Sequence, residues 1–175
     1  MTQRSILLFT ALALCLLTLL ALPAAAADHR IGGGFHYWRT IDDLRDEGFD
    51  EIDDSGLAEV VSYQYVPGGL IKLEIDVEYF DDGFGGSLEA TYSPQVYLVV
   101  GSFVYGAVGT GVLVSDGFED NVSDPFLAAK VGIDTLLLPK LHLDVNANYR
   151  FDDWNQLNDA DTDTVTLAAL VRLSF

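Results

Sequence analysis

The sequence predicts an all-β fold, a transmembrane eight-stranded antiparallel up-and-down β-barrel. Three observations predict it. Eight segments read as strands, several with apolar and polar residues in strict alternation. The connections between them alternate long and short. In the four cleanest segments the ionisable residues all lie opposite the apolar face. Successive side chains of a strand point to opposite faces, so such a segment has one apolar and one polar side.

The chain opens with an export signal. Arg4 supplies a positive start, an apolar run covers 6–22, and Pro23 leads into Ala24, Ala25, Ala26 and Ala27. The last three fit an A-x-A cleavage site before Asp28, giving a signal peptide over residues 1–27 and a barrel domain over 28–175. A membrane-anchoring helix is the alternative for this run, which is long for a signal. The one cysteine, Cys15, follows Leu14 where a lipidation site needs a small residue, so lipidation is rejected and the exported chain has no thiol.

The strand segments are 30–41, 57–66, 70–80, 88–100, 103–114, 125–138, 141–151 and 164–175. The first, fourth and fifth alternate less cleanly, and the Gly-rich fifth has no readable faces. The third sets Ile71, Leu73, Ile75, Val77 and Tyr79 against Lys72, Glu74, Asp76 and Glu78. The sixth sets Leu127, Ala129, Val131, Ile133 and Leu137 against Lys130 and Asp134. The seventh, LHLDVNANYRF, alternates without a break, with His142, Asp144, Asn146, Asn148 and Arg150 on its polar side. The eighth sets Val165 to Phe175 at odd positions against Thr164, Thr166, Arg172 and Ser174.

Short connections (PGG, GS, PK) interleave with long ones (DDLRDEGFDEIDDSG, DDGFGGS, SDGFEDNVSD, DDWNQLNDADTD). A meander with all short turns at one end is the pattern of a membrane barrel with periplasmic turns and external loops. Strands of ten to twelve residues suffice for a tilted crossing, which needs roughly 9–11. The apolar face then meets lipid and the charged face fills the interior.

Charge divides accordingly. The formal net charge is −18 and the pI about 4.1, which excludes nucleic acid as a partner. The four long loops hold nineteen acids and one base, Arg45, so the wall is nearly neutral. Inward Lys72, Lys130, Arg150 and Arg172 are expected to pair with Glu74, Asp76, Glu78, Asp134 and Asp144 in a lumen network, because an unpaired charge in a confined lumen is costly. Tyr79, Phe80, Tyr149, Phe151 and Trp154 near the long-loop end, and Tyr63, Tyr65, Phe103 and Phe175 near the other, suggest two interfacial girdles.

With these features the exported chain resembles the small eight-stranded outer-membrane barrels of the OmpA/OmpX type. The closing TLAALVRLSF resembles the terminal signature of that class, in which a final aromatic, here Phe175, is read by the barrel-assembly machinery. No segment resembles the peptidoglycan-binding domain that follows some of these barrels. The resemblance implies a Gram-negative outer membrane, with membrane lipid and lipopolysaccharide as partners, and a monomer.

Chemical motifs are sparse. Some barrels of this size modify lipid A with His, Ser and an acid. Here His142 and Asp144 share a face but have no nearby Ser and lie at the short-turn end, and His36 is read as a lumen hydrogen-bonding group. His29, next to the start of the exported chain, is read as disordered or interfacial. Asp159, Asp161 and Asp163 imitate the start of a calcium loop, but Thr164 and Leu170 stand where an EF-hand needs Gly and Glu, leaving at most a weak Ca²⁺ or Mg²⁺ site and no other cofactor. The expected function is therefore a non-enzymatic barrel with a structural or surface-interaction role. A narrow channel is the alternative, and a lipid A-modifying enzyme ranks behind it.

The loop alternation fixes a topology that labelling can test. An impermeant thiol reagent on intact cells should label Asp50→Cys and leave Gly68→Cys unlabelled. The reverse pattern would overturn the orientation.

Overall fold

The structure, a computed structural model, describes residues 27–38, 56–81, 90–115, 122–151 and 165–175. It contains β1 (Asp28–Tyr37), β2 (Leu57–Val66), β3 (Ile71–Phe80), β4 (Thr91–Gly101), β5 (Val104–Gly111), β6 (Phe126–Leu138), β7 (Leu141–Phe151) and β8 (Val165–Ser174). Each strand pairs antiparallel with its neighbour in the chain, and β1 pairs with β8 to close the barrel. The seam runs from Arg30 opposite Ser174 to Tyr37 opposite Leu167, and Phe175 N donates to His29 O at 2.9 Å beyond it. Closure leaves no unpaired edge, as a structure in lipid requires.

The strands lie close to the expected segments, with one instructive exception. β5 stops at Gly111, where the sequence pattern ran on to 114. Its β4 ladder ends at Gln95 opposite Gly111, and the next residue of β4 is Pro94. Pro94 accepts from Val112 N at 3.2 Å but has no N–H to return, so the ladder ends there. Val114 continues only through isolated bridges to Tyr92 and Val122.

The three short connections carry all the left-handed backbone of the described residues: Gly68 (φ 118°), Gly69 (φ 73°), Gly101 (φ 130°) and Lys140 (φ 71°). Glycine reaches such angles freely, which is how connections this short reverse the chain. Lys140 reaches one without being glycine, directly after Pro139.

Polarity is inverted relative to a soluble protein. The exposed face carries Ile31, Val61, Ile75, Val108, Val131, Ile133, Val145, Val171 and Leu173, while Glu74, Asp76, Asp144, Ser62 and Arg172 are buried inside. The faces that the sequence left open are now assigned. On β1, Arg30, Gly32, Gly34 and His36 point inward, on β4 Thr91, Ser93, Gln95, Tyr97 and Val99, and on β5 Tyr105, Ala107, Gly109 and Gly111.

The aromatic residues need one correction. At the short-turn end, His29 stacks on Phe175 at 5.8 Å and contacts Tyr65 and Tyr63, with its Nδ1 2.8 Å from the Tyr63 hydroxyl. At the long-loop end Tyr79 meets Tyr92, and Tyr149 stacks on Phe151, which is buried. Phe80, however, is not in the outer girdle. It is buried on the inner face, edge-on to Trp38 at 5.4 Å. Adjacent residues on a strand cannot share a face, so Tyr79 and Phe80 must divide between them. Trp154 lies outside the described residues.

Gly32 is where β1 approaches β8 most closely. A Cβ there would sit 1.9 Å from Val171 O and 2.6 Å from Arg172 Cα, both backbone atoms of β8. Gly32→Ala should therefore lower unfolding stability in detergent by roughly 3 kcal/mol or more, the upper range for overpacking. Gly106→Ala, whose Cβ would meet nothing closer than Lys130 O at 4.0 Å, should change it by less than about 0.5 kcal/mol. Urea titration of both variants checks this, and equal effects would show that the seam is no tighter than the rest of the wall.

The lumen as candidate functional site

The inward faces bring together charged groups from five strands, β1, β3, β6, β7 and β8. In the middle, Lys130 on β6 lies 3.0 Å from Glu74 Oε1 and also holds Asp76, both on β3. Arg172 on β8 spreads its fork over three partners: Nη2 to Glu74 at 2.9 Å, Nη1 to Asp144 at 2.7 Å and Nε to Ser62 at 2.9 Å. Glu74 also accepts from Gln64 Nε2 at 2.9 Å, and Asp144 from the Tyr105 hydroxyl at 2.8 Å and from Asn146. Every oxygen of Glu74 and Asp144 is thus occupied, which is the condition for keeping buried carboxylates ionised. Asp76 is served less fully, since its Oδ1 is buried without a hydrogen-bond partner.

Toward the short-turn end, Asp134 gathers three basic groups. Its Oδ2 accepts from Arg30 Nη1 and Lys72 Nζ, each at 2.7 Å, and its Oδ1 lies 3.1 Å from His142 Nδ1. Asp134 and Asp144 stand directly opposite each other on β6 and β7. Like charges so placed repel, and separate cation sets hold them: Arg30 and Lys72 on one, Arg172 on the other.

Toward the long-loop end, Glu78 binds Arg150 Nη2 at 2.7 Å and His36 Nδ1 at 2.8 Å. Arg150 sits over the Trp38 ring at 3.9 Å and the Phe126 ring at 4.4 Å. His36 Nε2 is 2.6 Å from Thr166 Oγ1. The Thr166–His36–Glu78 order imitates a nucleophile–base–acid relay, but Arg150 takes the other oxygen of Glu78 and all three side chains are buried in the lumen wall.

Among the described residues, Arg30, Lys72, Lys130, Arg150 and Arg172 face Glu74, Asp76, Glu78, Asp134 and Asp144, five charges of each sign. His36 stands in the lumen as a hydrogen-bonding group, as expected, while Arg30, Tyr105 and Gln64 were not anticipated in this set. The alternation that places Arg30 inward with His36 is present in the sequence, but the run Gly32, Gly33 and Gly34 between them hides it.

Charge does not fill the whole lumen, as the clean strands had suggested. Tyr97, Val99, Tyr105, Ala107, Phe126 and Ala128 form a buried cluster on β4, β5 and β6. Tyr105 covers Gly132 and Tyr97 covers Gly109, where an added Cβ would fall 2.8 Å and 2.4 Å from the rings. Lys130 lies over Tyr97 at 3.7 Å and so joins this sector to the ionic one. The proposed cation ligands Asp159, Asp161 and Asp163 lie outside the described residues. Among the described residues no group of three or more His, Cys, Asp or Glu is arranged to hold a metal.

No protein-family model matches the chain, and no curated protein matches it. Among solved structures it is similar to the crystal structure of Neisserial surface protein A (NspA), with 16% identity and a TM-score of 0.47, over 85% of this chain and 96% of that one.

Arg172 is the cation whose loss the lumen can least absorb. Arg172→Met strips a partner from both Glu74 and Asp144, so it should cost roughly 3–5 kcal/mol, the range for breaking a buried pair. Adding Asp144→Asn should restore part of that loss, because one uncompensated charge is removed. Urea unfolding of the two variants decides it, and a loss under about 1 kcal/mol for Arg172→Met would show that water already supports these carboxylates.

Proposed function

We propose that this chain is an integral outer-membrane barrel of a Gram-negative bacterium, non-enzymatic, with a structural or surface-interaction role. The observation that carries the reading is the inverted polarity of a closed ladder: aliphatic side chains outside, paired charges inside. In water such a surface would drive aggregation, and in lipid it is the stable arrangement. Residues 1–27 serve as the export signal. Phe175, stacked on His29 at the short-turn end, is the residue the assembly machinery reads. The acidic loops face outward among lipopolysaccharide phosphates. Both are anionic, so they meet through Ca²⁺ or Mg²⁺ shared among many carboxylates, Asp159, Asp161 and Asp163 included, rather than at one tight site.

The lumen supports a wall over a pore. Arg172, Glu74, Asp76 and Asp144 converge in its middle and are all fully buried. Moving an ion past them requires breaking several charge-assisted bonds at once. The Thr166–His36–Glu78 set is read as a brace at the outer end, since its carboxylate is already neutralised by Arg150 and its hydroxyl is not on the lipid-facing surface. Refolded protein in planar bilayers should insert without discrete conductance steps. Regular ohmic steps from the wild-type barrel would overturn this reading in favour of a narrow channel.

A further inference from the structure

The mouth at the short-turn end contains a cavity of about 380 Å³ into which Arg30, Lys72 and His142 converge. These three groups come from β1, β3 and β7, and all three bind the same carboxylate, Asp134. Both oxygens of Asp134 are thereby engaged: Oδ2 accepts from Arg30 and Lys72, and Oδ1 lies against His142. Two of the donors keep hydrogens to spare. Among the described residues Lys72 has three hydrogens and one hydrogen-bond partner, and Arg30 Nη2 has no partner.

Charge is unbalanced here in the same sense. The middle of the lumen sets two cations, Lys130 and Arg172, against three acids, Glu74, Asp76 and Asp144. The mouth sets Arg30 and Lys72 against Asp134 alone. Asp28, the other carboxylate on Arg30, is at the rim, 3.2 Å from Nε and 39% exposed, where solvent screens it. Water can accept the spare hydrogens but cannot balance the charge. The opposite wall of the cavity is apolar, formed by Val66, Phe103 and Leu136.

We infer that this mouth is a binding site for a small oxyanion, a carboxylate or phosphate group attached to an apolar body, with Arg30 and Lys72 as donors and His142 lining the cavity. The anion accepts the hydrogens of Arg30 and Lys72 that are not on Asp134, and Phe103 and Leu136 cover the apolar part. That the site opens to the periplasm follows from the proposed topology, but binding in detergent does not depend on it. A failed titration and a failed orientation are therefore separate results.

The test is titration of the full exported chain, refolded in a maltoside detergent, with phenyl phosphate, inorganic phosphate and phenol. Phenyl phosphate should bind saturably, at least tenfold tighter than either of the others. Lys72→Met should weaken it at least tenfold, while Lys140→Met, a basic residue on a neighbouring turn outside the cavity, should stay within twofold. Should Lys72→Met fail to refold, Ser102→Asp carries the test. Ser102 is exposed on the cavity rim and makes no contact with the ionic network, so the variant folds and its added carboxylate should also weaken binding tenfold. Absence of saturable binding, phenol binding as tightly as phenyl phosphate, or unchanged affinity in both Lys72→Met and Ser102→Asp would each overturn the site.

Discussion

The constraint on which the structure depends is that a closed eight-stranded wall confines ten ionised side chains in a space that side chains alone must fill. Each charge taken from water costs several kcal/mol unless the interior returns it in hydrogen bonds of good geometry. Arg172 meets that demand with three partners, and Glu74 with Lys130, Arg172 and Gln64. Because these partners come from β2, β3, β6, β7 and β8, the network ties opposite sides of the barrel together. A ladder of backbone hydrogen bonds joins only neighbours, so cross-lumen pairs such as Glu74–Lys130 and Lys72–Asp134 hold the wall to one cross-section.

The apolar sector has a complementary role. Tyr97 and Tyr105 lie over Gly109 and Gly132, filling space that charged side chains from β3, β6 and β8 do not reach. Their rings also face Lys130 and Lys72. Lys72, Lys130 and Arg150 therefore each have a carboxylate on one side and a ring face on the other. At the seam, Gly32 and Gly34 let β1 approach β8 at distances that no side chain allows.

Much of the fold was legible because β3, β6, β7 and β8 state both faces in residue type: Lys72, Glu74, Asp76 and Glu78 cannot face lipid, and Ile71, Ile75 and Val77 gain by doing so. β1 and β5 were illegible for the same physical reason. Gly32, Gly34, Gly109 and Gly111 have no side chain to declare a face. The inward position of Phe80 was missed because aromatic character suits both an interface and a packed lumen, and only the register of Tyr79 separates them. Which charges meet was not legible at all. Lys130 reaches Glu74 and Asp76 across three strand positions, a distance set by the stagger of the ladders and absent from any local pattern. The end of β5 was written in Pro94, but only its pairing with Val112 made that proline decisive.

The central claim is that the aliphatic face of each strand meets lipid while the ionic face is sealed inside. Fluorescence quenching of a small thiol-reactive probe, by nitroxide on lipid acyl chains, measures this directly in liposomes. Probes on Ile75→Cys, Val131→Cys and Val171→Cys should be strongly quenched, and probes on Ser62→Cys and Asn146→Cys should not. Equal quenching at both sets, or stronger quenching at Ser62→Cys and Asn146→Cys, would contradict the account.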